Sequence, residues 1–319
     1  MSFYKKLLII ASALVLMLAT GCSAGGGVTQ VPSLPPVTVP EIPEGVISDE
    51  VQGRFDVNGN NIYYAVSDSI LCYNGSVELV VTADAPSHIC ILEGKVFFRS
   101  VSARVDFKPV EYQLQSVDLS SGEITTYASG NINQVVKSGG KIFYISDYTK
   151  LFNLDNGSVN ELVNAELSEM YACGGFIYLG INGDLCKYDA NGGEYVPLLS
   201  GCFPNNITAD ENNVYFSTET DNALQTLDVN SGNLTRSQIN NFGLVLNNGV
   251  HYYVVNDEGF ALVNAGDKSI VAELGKLQNC SAPLFYNGDI YFFISSDDYF
   301  GLIKVSSDGS IIKLTEAEG

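Results

Sequence analysis

The chain has 319 residues, of which 46% are hydrophobic, so it is long enough and apolar enough to bury a core. Its 36 acidic residues outnumber 16 Lys and Arg, which gives a formal net charge of −20 at pH 7. Because nucleic acids bind proteins through cationic side chains that neutralise phosphates, this charge excludes nucleic acid as a partner. The 18 Tyr and 16 Phe, with no Trp, favour strands over long helices.

The first segment, residues 1–21, has the features of a signal peptide. Lys5 and Lys6 precede an apolar run from Leu7 to Leu18. This run of about a dozen residues is shorter than the ~20 residues that a membrane-spanning helix needs, so we expect the segment to be cleaved. Loss of its two lysines takes the mature chain to a net charge of −22.

The residues around the end of this segment resemble the lipobox of bacterial lipoproteins. Leu18, Ala19, Thr20 and Gly21 come directly before Cys22. The resemblance implies that the Cys22 thiol carries a diacylglyceryl group, which would anchor the protein to a membrane. The alternative is an ordinary secreted protein in which Cys22 has no such role. We expect a lipid-anchored extracytoplasmic protein of the cell membrane or the outer membrane.

Residues 22–48 differ in composition from the rest of the chain. They contain three consecutive glycines and five of the ten prolines, at positions Pro32, Pro35, Pro36, Pro40 and Pro43. Gly-rich chain is flexible, and Pro-rich chain is extended at about 3.1 Å per residue. The composition therefore predicts a tether that leads to a folded domain in residues 49–319.

The folded domain contains a short aromatic strand pattern seven times. The seven copies are Asn61–Tyr64 (NIYY), Lys95–Phe98 (KVFF), Lys141–Tyr144 (KIFY), Phe176–Leu179 (FIYL), Asn213–Phe216 (NVYF), Val250–Tyr253 (VHYY) and Asp289–Phe292 (DIYF). From the first copy to the last is 228 residues over six intervals, a mean period of 38 residues. This period is typical of β-propeller blades, which have four strands in roughly 40 residues.

The third repeat shows the predicted blade most clearly. Its four strands are expected at Gln134–Lys137, Lys141–Ile145, Lys150–Leu154 and Val159–Val163. Gly and Asn recur between the first and second strands and between the third and fourth strands, where tight hairpins need positive φ. No window has the spacing of a long amphipathic helix, so we predict an all-β fold with almost no helix.

We therefore predict a seven-bladed β-propeller of four-stranded antiparallel blades. Another all-β array, such as two sandwiches or a solenoid, is the alternative. The last repeat supplies its own fourth strand at Ile311–Leu314, so the ring would close without an exchanged strand unless Val46–Val51 pairs at an edge.

The repeats resemble a family of bacterial lipoproteins with a β-propeller domain of unknown function. The resemblance covers roughly residues 53–319, and Gly59–Tyr64, Leu151–Gly157, Asn213–Phe216 and Gly288–Phe292 carry it. A more distant similarity is to propeller lipoproteins of outer-membrane assembly, whose repeats carry Trp where this chain has none. Both resemblances imply a fold and an envelope location, and neither implies a reaction.

The sequence contains no recognisable catalytic motif. HExxH, P-loop and dinucleotide-binding patterns are all absent. Of the two histidines, we expect His88 to be a solvated residue of the connection between repeats one and two, and His251 to be packed within an aromatic strand. We therefore predict no catalytic residue, no metal site and no cofactor.

Six cysteines remain beyond the lipidation site: Cys72, Cys90, Cys173, Cys186, Cys202 and Cys280. Export would permit disulfides. However, Cys173 and Cys186 fall in the first and third strands of one repeat, about 9.5 Å apart and beyond the reach of a disulfide. We expect most of the six to be small buried hydrophobic residues.

Charged residues concentrate in the connections between the second and third strands. Six repeats carry acidic residues there: Asp68, Asp147, Asp184, Glu219 with Asp221, Asp257 with Glu258, and Asp297 with Asp298. Repeat two differs, with a predicted long loop from Arg99 to Tyr112 that contains Arg99, Arg104 and Lys108. Acidic turns that only keep the protein soluble would give the same pattern. Our hypothesis is an acidic binding face that a basic insertion interrupts.

These features favour a membrane-anchored binding or scaffold lipoprotein that uses one propeller face for a protein or peptide partner. The alternative is a cell-surface glycan-acting enzyme or glycan-binding protein, which would use Tyr stacking and, for catalysis, two carboxylates about 5–9.5 Å apart. We favour a role without catalysis because no catalytic motif is present.

Overall fold

The computed structural model describes residues 55–66, 68–240, 243–247, 250–256, 260–264, 267, 269–275, 279–280, 284–286, 288–295 and 299–314. Every regular element in these residues is a β-strand, as the sequence predicts. Consecutive strands pair in antiparallel ladders and form separate sheets. The segments predicted as signal peptide and tether, and the possible edge strand Val46–Val51, lie outside the described residues.

The strands of the first four sheets follow one another in chain order. Sheet 1 contains β1 (Phe55–Asn58), β2 (Asn61–Ala65), β3 (Ser69–Tyr73) and β4 (Val77–Thr82). Sheet 2 contains β5 (Ser87–Leu92), β6 (Lys95–Val105), β7 (Lys108–Asp118) and β8 (Ile124–Gly130). Sheet 3 contains β9 (Ile132–Ser138), β10 (Lys141–Ser146), β11 (Lys150–Asp155) and β12 (Ser158–Asn164). Sheet 4 contains β13 (Leu167–Cys173), β14 (Phe176–Ile181), β15 (Asp184–Asp189) and β16 (Tyr195–Leu199).

The later sheets repeat this order, and the last one is irregular at its first position. Sheet 5 contains β17 (Pro204–Ala209), β18 (Asn213–Thr218), β19 (Asp221–Asp228) and β20 (Leu234–Asn240). Sheet 6 contains β21 (Gly243–Asn247), β22 (Val250–Asn256), β23 (Phe260–Asn264) and β24 (Ile270–Gly275). In sheet 7, β25 (Asn279–Cys280) and β26 (Leu284–Tyr286) both pair with β27 (Asp289–Ser295), which β28 (Phe300–Val305) and β29 (Ile311–Lys313) follow.

The arrangement is a β-propeller of four-stranded antiparallel blades. The first strands of neighbouring sheets contact one another, as β1 does with β5 and β13 with β17, so they lie at the centre. The fourth strands are the most exposed, as in β12, and lie at the periphery. The described residues form six complete blades and a seventh whose inner position is divided between two short strands.

The aromatic pattern of the repeats packs each blade against both of its neighbours. Successive residues of a strand point to opposite faces, so the third and fourth residues of each pattern pack on different blades. The third residue packs toward the following blade in Tyr63, Phe97, Phe143, Tyr178 and Tyr291. The fourth packs toward the preceding blade in Tyr64, Phe98, Tyr144, Leu179, Phe216 and Phe292.

The first and last sheets meet through this same packing. Tyr64 of β2 and Leu302 of β28 are fully buried in one apolar cluster, together with Tyr291 and Phe293 of β27. In the described residues, each sheet is built only from consecutive strands of the chain. Within the described residues, side-chain packing therefore joins sheet 7 to sheet 1.

Hydrogen bonds near the centre also connect adjacent blades. In each case a polar side chain of one first strand accepts a hydrogen bond from a backbone N–H of the next first strand. The pairs are Ile91 to Asp56 (2.8 Å), Met170 to Gln134 (2.7 Å) and Asn206 to Glu169 (2.6 Å). Asp56 also pairs with Lys137 of sheet 3, so one carboxylate connects three blades.

Candidate functional site

Two kinds of connection share one end of every blade. Because adjacent strands run in opposite directions, the connection from second to third strand lies at the same end as the connection from fourth strand to the next blade. We call this end the loop face, and the opposite end, with its short hairpin turns, the turn face. The seven predicted binding residues that lie within the described ranges belong to elements that reach the loop face.

Blade 2 extends beyond the others at the loop face. The predicted loop from Arg99 to Tyr112 is wrong, because β6 and β7 continue as a paired ladder of 11 residues each. The ladder reaches Val105 opposite Lys108, and it turns at Asp106 and Phe107. The alternation of Val101, Ala103 and Val105 supports a strand through this segment. Residues 101–110 form the projecting part, which we call the blade 2 hairpin.

The tip of the blade 2 hairpin holds an aromatic side chain in solvent. Asp106 and Phe107 have φ of 49° and 65°, the left-handed values that a type I′ turn needs. Gly is preferred at the second of these positions, yet Phe107 occupies it with 93% of its surface exposed. Val105 and Val110 are also more than half exposed. The hairpin therefore presents an apolar tip at a backbone cost.

An ion pair fixes the base of this tip. Arg104 Nε and Nη2 donate to both carboxylate oxygens of Asp84 at 3.0 and 2.7 Å, and Nη1 donates to the Phe107 carbonyl at 3.2 Å. The Val101 N–H donates to the Asp84 carbonyl at 2.9 Å. The hydrogen bond from Arg104 lowers the pKa of the Asp84 carboxyl. Arg104 is therefore engaged within the protein, whereas Lys108 is exposed at the start of β7.

Arg99 is not a surface residue. It lies within β6 with only 7% of its surface exposed. Its guanidinium donates to Ser87 Oγ and to the carbonyls of Ile132 and Asn133, each at 3.0 Å, and stacks 4.4 Å from the centre of the Tyr112 ring. The prediction that Arg99 contributes to a basic binding face is therefore wrong, because the side chain joins blade 2 to blade 3.

The acidic residues of the loop face divide into two groups. Asp68 and Asp147 are exposed in the connections where the sequence predicts them. Asp184 and Asp221 instead begin β15 and β19 and make internal contacts. Asp184 Oδ1 accepts from the Gly201 N–H at 2.7 Å, and Asp221 Oδ1 accepts from Arg236 Nη2 at 2.9 Å. The hydrogen bond from Arg236 lowers the pKa of Asp221. Asp257, Asp297 and Asp298 lie outside the described residues.

Two further aromatic residues are exposed on the loop face. Tyr148, in the connection after β10, and Phe203, in the connection before β17, are each 49% exposed with φ of 52° and 45°. The Tyr148 N–H donates to Asn133 Oδ1 at 2.9 Å, which holds this conformation. A Cβ at Gly183 would lie 2.7 Å from the Phe203 ring, so glycine permits the position of that ring. Sequence reasoning missed these aromatic residues because left-handed φ at Tyr or Phe has no local signal.

The histidine and cysteine side chains that the structure describes are buried or half-buried within the protein. His88 is 5% exposed and begins the bulged part of β5 with φ of 55°, so the expectation of a solvated loop residue is wrong. The structure gives only the backbone of His251. Cys72, Cys90 and Cys186 are buried, Cys173 and Cys202 are half-buried, and all five are free thiols. Burial raises the pKa of the Cys90 thiol to about 12.

Two further properties of the described residues concern metal binding and membrane insertion. No group of three or more His, Cys, Asp or Glu side chains in this part of the chain is placed to hold a metal ion. The described residues also contain no helix with the length and apolarity to cross a membrane.

Solved structures with the same fold are similar to this chain. The β-propeller domain of the Trilobed protease from Pyrococcus furiosus, with an open velcro topology, has 12% identity and a TM-score of 0.62, covering 83% of this chain and 97% of that one. BamB from Moraxella catarrhalis has 14% identity and a TM-score of 0.53, covering 86% and 89%. The extracellular domain of a putative one-component system from B. thetaiotaomicron has 13% identity and a TM-score of 0.56, covering 79% of this chain and 38% of that one.

At these identities the similarity shows the β-propeller fold alone. No protein-family profile matches the chain, and no curated protein matches it.

Proposed function

We propose that the protein is a membrane-anchored, extracytoplasmic binding or scaffold lipoprotein whose loop face binds a protein or peptide partner. In this proposal Cys22 carries the lipid and residues 22–48 are the tether. The propeller is a closed ring of seven blades, which is supported by the seven repeats and by the packing of sheet 1 against sheet 7.

The blade 2 hairpin is the observation that carries the proposal. A non-glycine residue in the left-handed region has a backbone cost of order 1–2 kcal/mol, which a Gly would avoid. A buried position would keep the aromatic ring out of water. Phe107 is neither a glycine nor buried. Arg104 holds the turn in place by hydrogen bonds to Asp84 and to the Phe107 carbonyl. Strain that the surrounding structure maintains is common where a protein contacts a ligand or partner. A rigid aromatic tip also matches the side chains that dominate binding energy in protein interfaces.

The other exposed aromatic residues enlarge the same surface. Tyr148 and Phe203 share the loop face, and Asp147 adjoins Tyr148 with its carboxylate exposed. An interface with apolar anchors and an acidic rim favours a partner that offers an apolar pocket with basic residues around it. The similarity to BamB and to an extracellular domain is consistent with a binding or scaffold role.

The decisive variant is Phe107→Gly. It creates an Asp-Gly type I′ turn, so we expect the free energy of unfolding to rise by up to about 1 kcal/mol while the anchor of the interface is lost. Full-length protein and variant would be cross-linked in their own membranes, captured by a tag, and compared by mass spectrometry. A partner that binds the parent protein should bind the variant at least tenfold more weakly when its affinity is measured with purified components.

The matched control is Tyr195→Gly, which removes a half-exposed aromatic side chain from the outer strand β16, away from the loop face. Partner binding should survive this change. Capture that is equal for the parent protein and Phe107→Gly, or no specific capture by either, would contradict a protein partner on this face.

Asp68→Asn with Asp147→Asn should reduce the salt dependence of binding.

A further inference from the structure

A cavity of about 480 Å³ opens on the turn face, opposite the loop face. It lies between blades 2 and 3 and is bounded by the turn at Glu93, strand β8, and the turn at Asn156 and Gly157. Its volume falls within the range of about 300–1,000 Å³ that is usual for small-molecule sites.

The cavity exists because one hairpin turn is short. In blade 4, five residues connect β15 to β16, and Ala190 and Asn191 of that connection lie against blade 3, about 3 Å from where a Cβ of Gly139 would stand. In blade 3 the equivalent connection from β11 to β12 is only Asn156 and Gly157, and both residues line the cavity beside the turn at Glu93 of blade 2. The space that a longer turn fills between blades 3 and 4 is therefore open between blades 2 and 3.

Aromatic and aliphatic side chains form the floor of this cavity. The rings of Phe97 and Tyr127 lie 5.7 Å apart at 30°, beside Ile142 and Leu154. The hydroxyl groups of Tyr127 and the buried Ser116 are hydrogen-bonded at 3.0 Å, which fixes the Tyr127 ring. Phe97, Ile142 and Leu154 are themselves buried, so the half-buried Tyr127 ring is the aromatic surface that a ligand can contact.

Polar groups of both charges surround this floor. Glu93 and Asn156 are exposed at the entrance, and Lys95 and Thr125 line the wall. Asp155 also lines it, but its carboxylate already pairs with Lys141 at 3.2 Å. The rim therefore offers a carboxylate and an amide as acceptors, and an ammonium, an amide and a hydroxyl as donors.

We propose that this cavity binds a saccharide of one or two rings. A sugar ring has an apolar C–H face, which fits over Tyr127, and an edge of hydroxyl groups that donate to Glu93 and accept from Lys95. A purely apolar ligand would remove these charged groups from water without hydrogen bonds, which is costly. A phosphorylated ligand would lie beside Glu93 and Asp155 in a chain of net charge −20.

Isothermal titration calorimetry of the purified full-length protein tests the site with three probes: maltose, cellobiose and N,N′-diacetylchitobiose. We expect at least one disaccharide to bind, and Tyr127→Ala to weaken that binding at least tenfold, which corresponds to about 1.4 kcal/mol. Tyr195→Ala is the matched control, because Tyr195 is an exposed Tyr of the outer strand in another blade. It should bind like the parent protein.

A second variant guards against misfolding of Tyr127→Ala. Glu93→Asn removes the carboxylate but suits the left-handed turn, where Glu93 has φ of 50° before Gly94. It should weaken binding and keep the melting temperature. The proposal is overturned if no probe binds the parent protein, or if both variants bind the sugar as tightly as the parent does. These outcomes leave the loop-face proposal unaffected, because its experiment uses the other face.

Discussion

Arg99 and Arg104 lie five residues apart in the same strand but have different roles. Arg99 is enclosed between blades 2 and 3, where its guanidinium satisfies two backbone carbonyls. Arg104 is near the hairpin tip, in an ion pair with Asp84 whose side chains are 36% and 53% exposed. Buried charge-assisted hydrogen bonds contribute far more to stability than ion pairs in water.

Replacement of these two arginines should therefore have unequal effects. Arg99→Met keeps an apolar stem but leaves the carbonyls of Ile132 and Asn133 without the guanidinium donor, and we expect it to lower the free energy of unfolding by about 3 kcal/mol. Arg104→Met should cost no more than about 1 kcal/mol. Urea denaturation measures both. Equal losses would show that the two guanidinium groups contribute alike.

Individual residues also explain where sequence reasoning failed. The charges of Arg99 and Arg104 and the Pro at position 109 concealed the alternation that continues β6 and β7 to their turn. The burial of Arg99 depends on carbonyls of blade 3 that are more than 30 residues away in the chain. A non-local partner of this kind leaves no pattern near the residue itself.

Secondary-structure elements were more predictable than individual side chains. All seven aromatic patterns lie in second strands, and a glycine between first and second strands, Gly94, adopts the left-handed φ that the recurring Gly and Asn predict. These features are local, because β-branched and aromatic residues favour strands and positive φ favours Gly. The division of the first position in sheet 7 was not predicted, although Pro283, which lacks a backbone N–H for a strand ladder, lies in the sequence between the two short strands.

Several hairpins use an Asp to order the turn between third and fourth strands. Asp118, Asp189 and Asp228 each end a third strand and accept backbone N–H groups from residues two and three positions later. Each pattern closes with a glycine at left-handed φ, such as Gly122. Hydrogen bonds from Ser120 Oγ and then from the backbone of Ser121 lower the pKa of Asp118 to about 2.

The turn at Asp118 should therefore stabilise the protein only where its carboxylate is ionised. A folded-state pKa below the unfolded value near 3.8 contributes stability above about pH 4 that is lost as the pH falls toward 2. We expect Asp118→Ala to lower the urea midpoint at pH 7 and to have little effect near pH 2. Asp68→Ala, at an exposed connection, is the control. A loss for Asp118→Ala that is the same at both pH values would contradict this account.

At the scale of the whole molecule, two adjacent residues of β27 face different blades. Phe292 packs with Phe260 and Leu262 of blade 6, and Phe293 packs with Tyr64 of blade 1. Both phenylalanines are fully buried. Phe292 therefore belongs to the boundary between two consecutive blades, and Phe293 belongs to the boundary between the last blade and the first. Substitution of each residue tests one of these two boundaries.

Phe292→Ala and Phe293→Ala should each lower the free energy of unfolding by about 3–5 kcal/mol. Their local effects should differ, because the cavities open on opposite faces of the sheet. Hydrogen exchange should accelerate in β23 for Phe292→Ala, and in β1 and β2 for Phe293→Ala. Identical exchange patterns would mean that the boundary between first and last sheets has no separate stability.

Each described sheet is built from one uninterrupted stretch of chain. This has a consequence for how the protein can evolve. A strand exchanged between the ends of the chain would fix which repeat is first and which is last. The described sheets contain no such exchange, so duplication or loss of a segment of about 38 residues among them adds or removes one whole blade and leaves the remaining described strands with their own neighbours. Gene rearrangement could thus vary the number and order of surface loops on this scaffold, since each repeat brings its own connection and both of its packing faces.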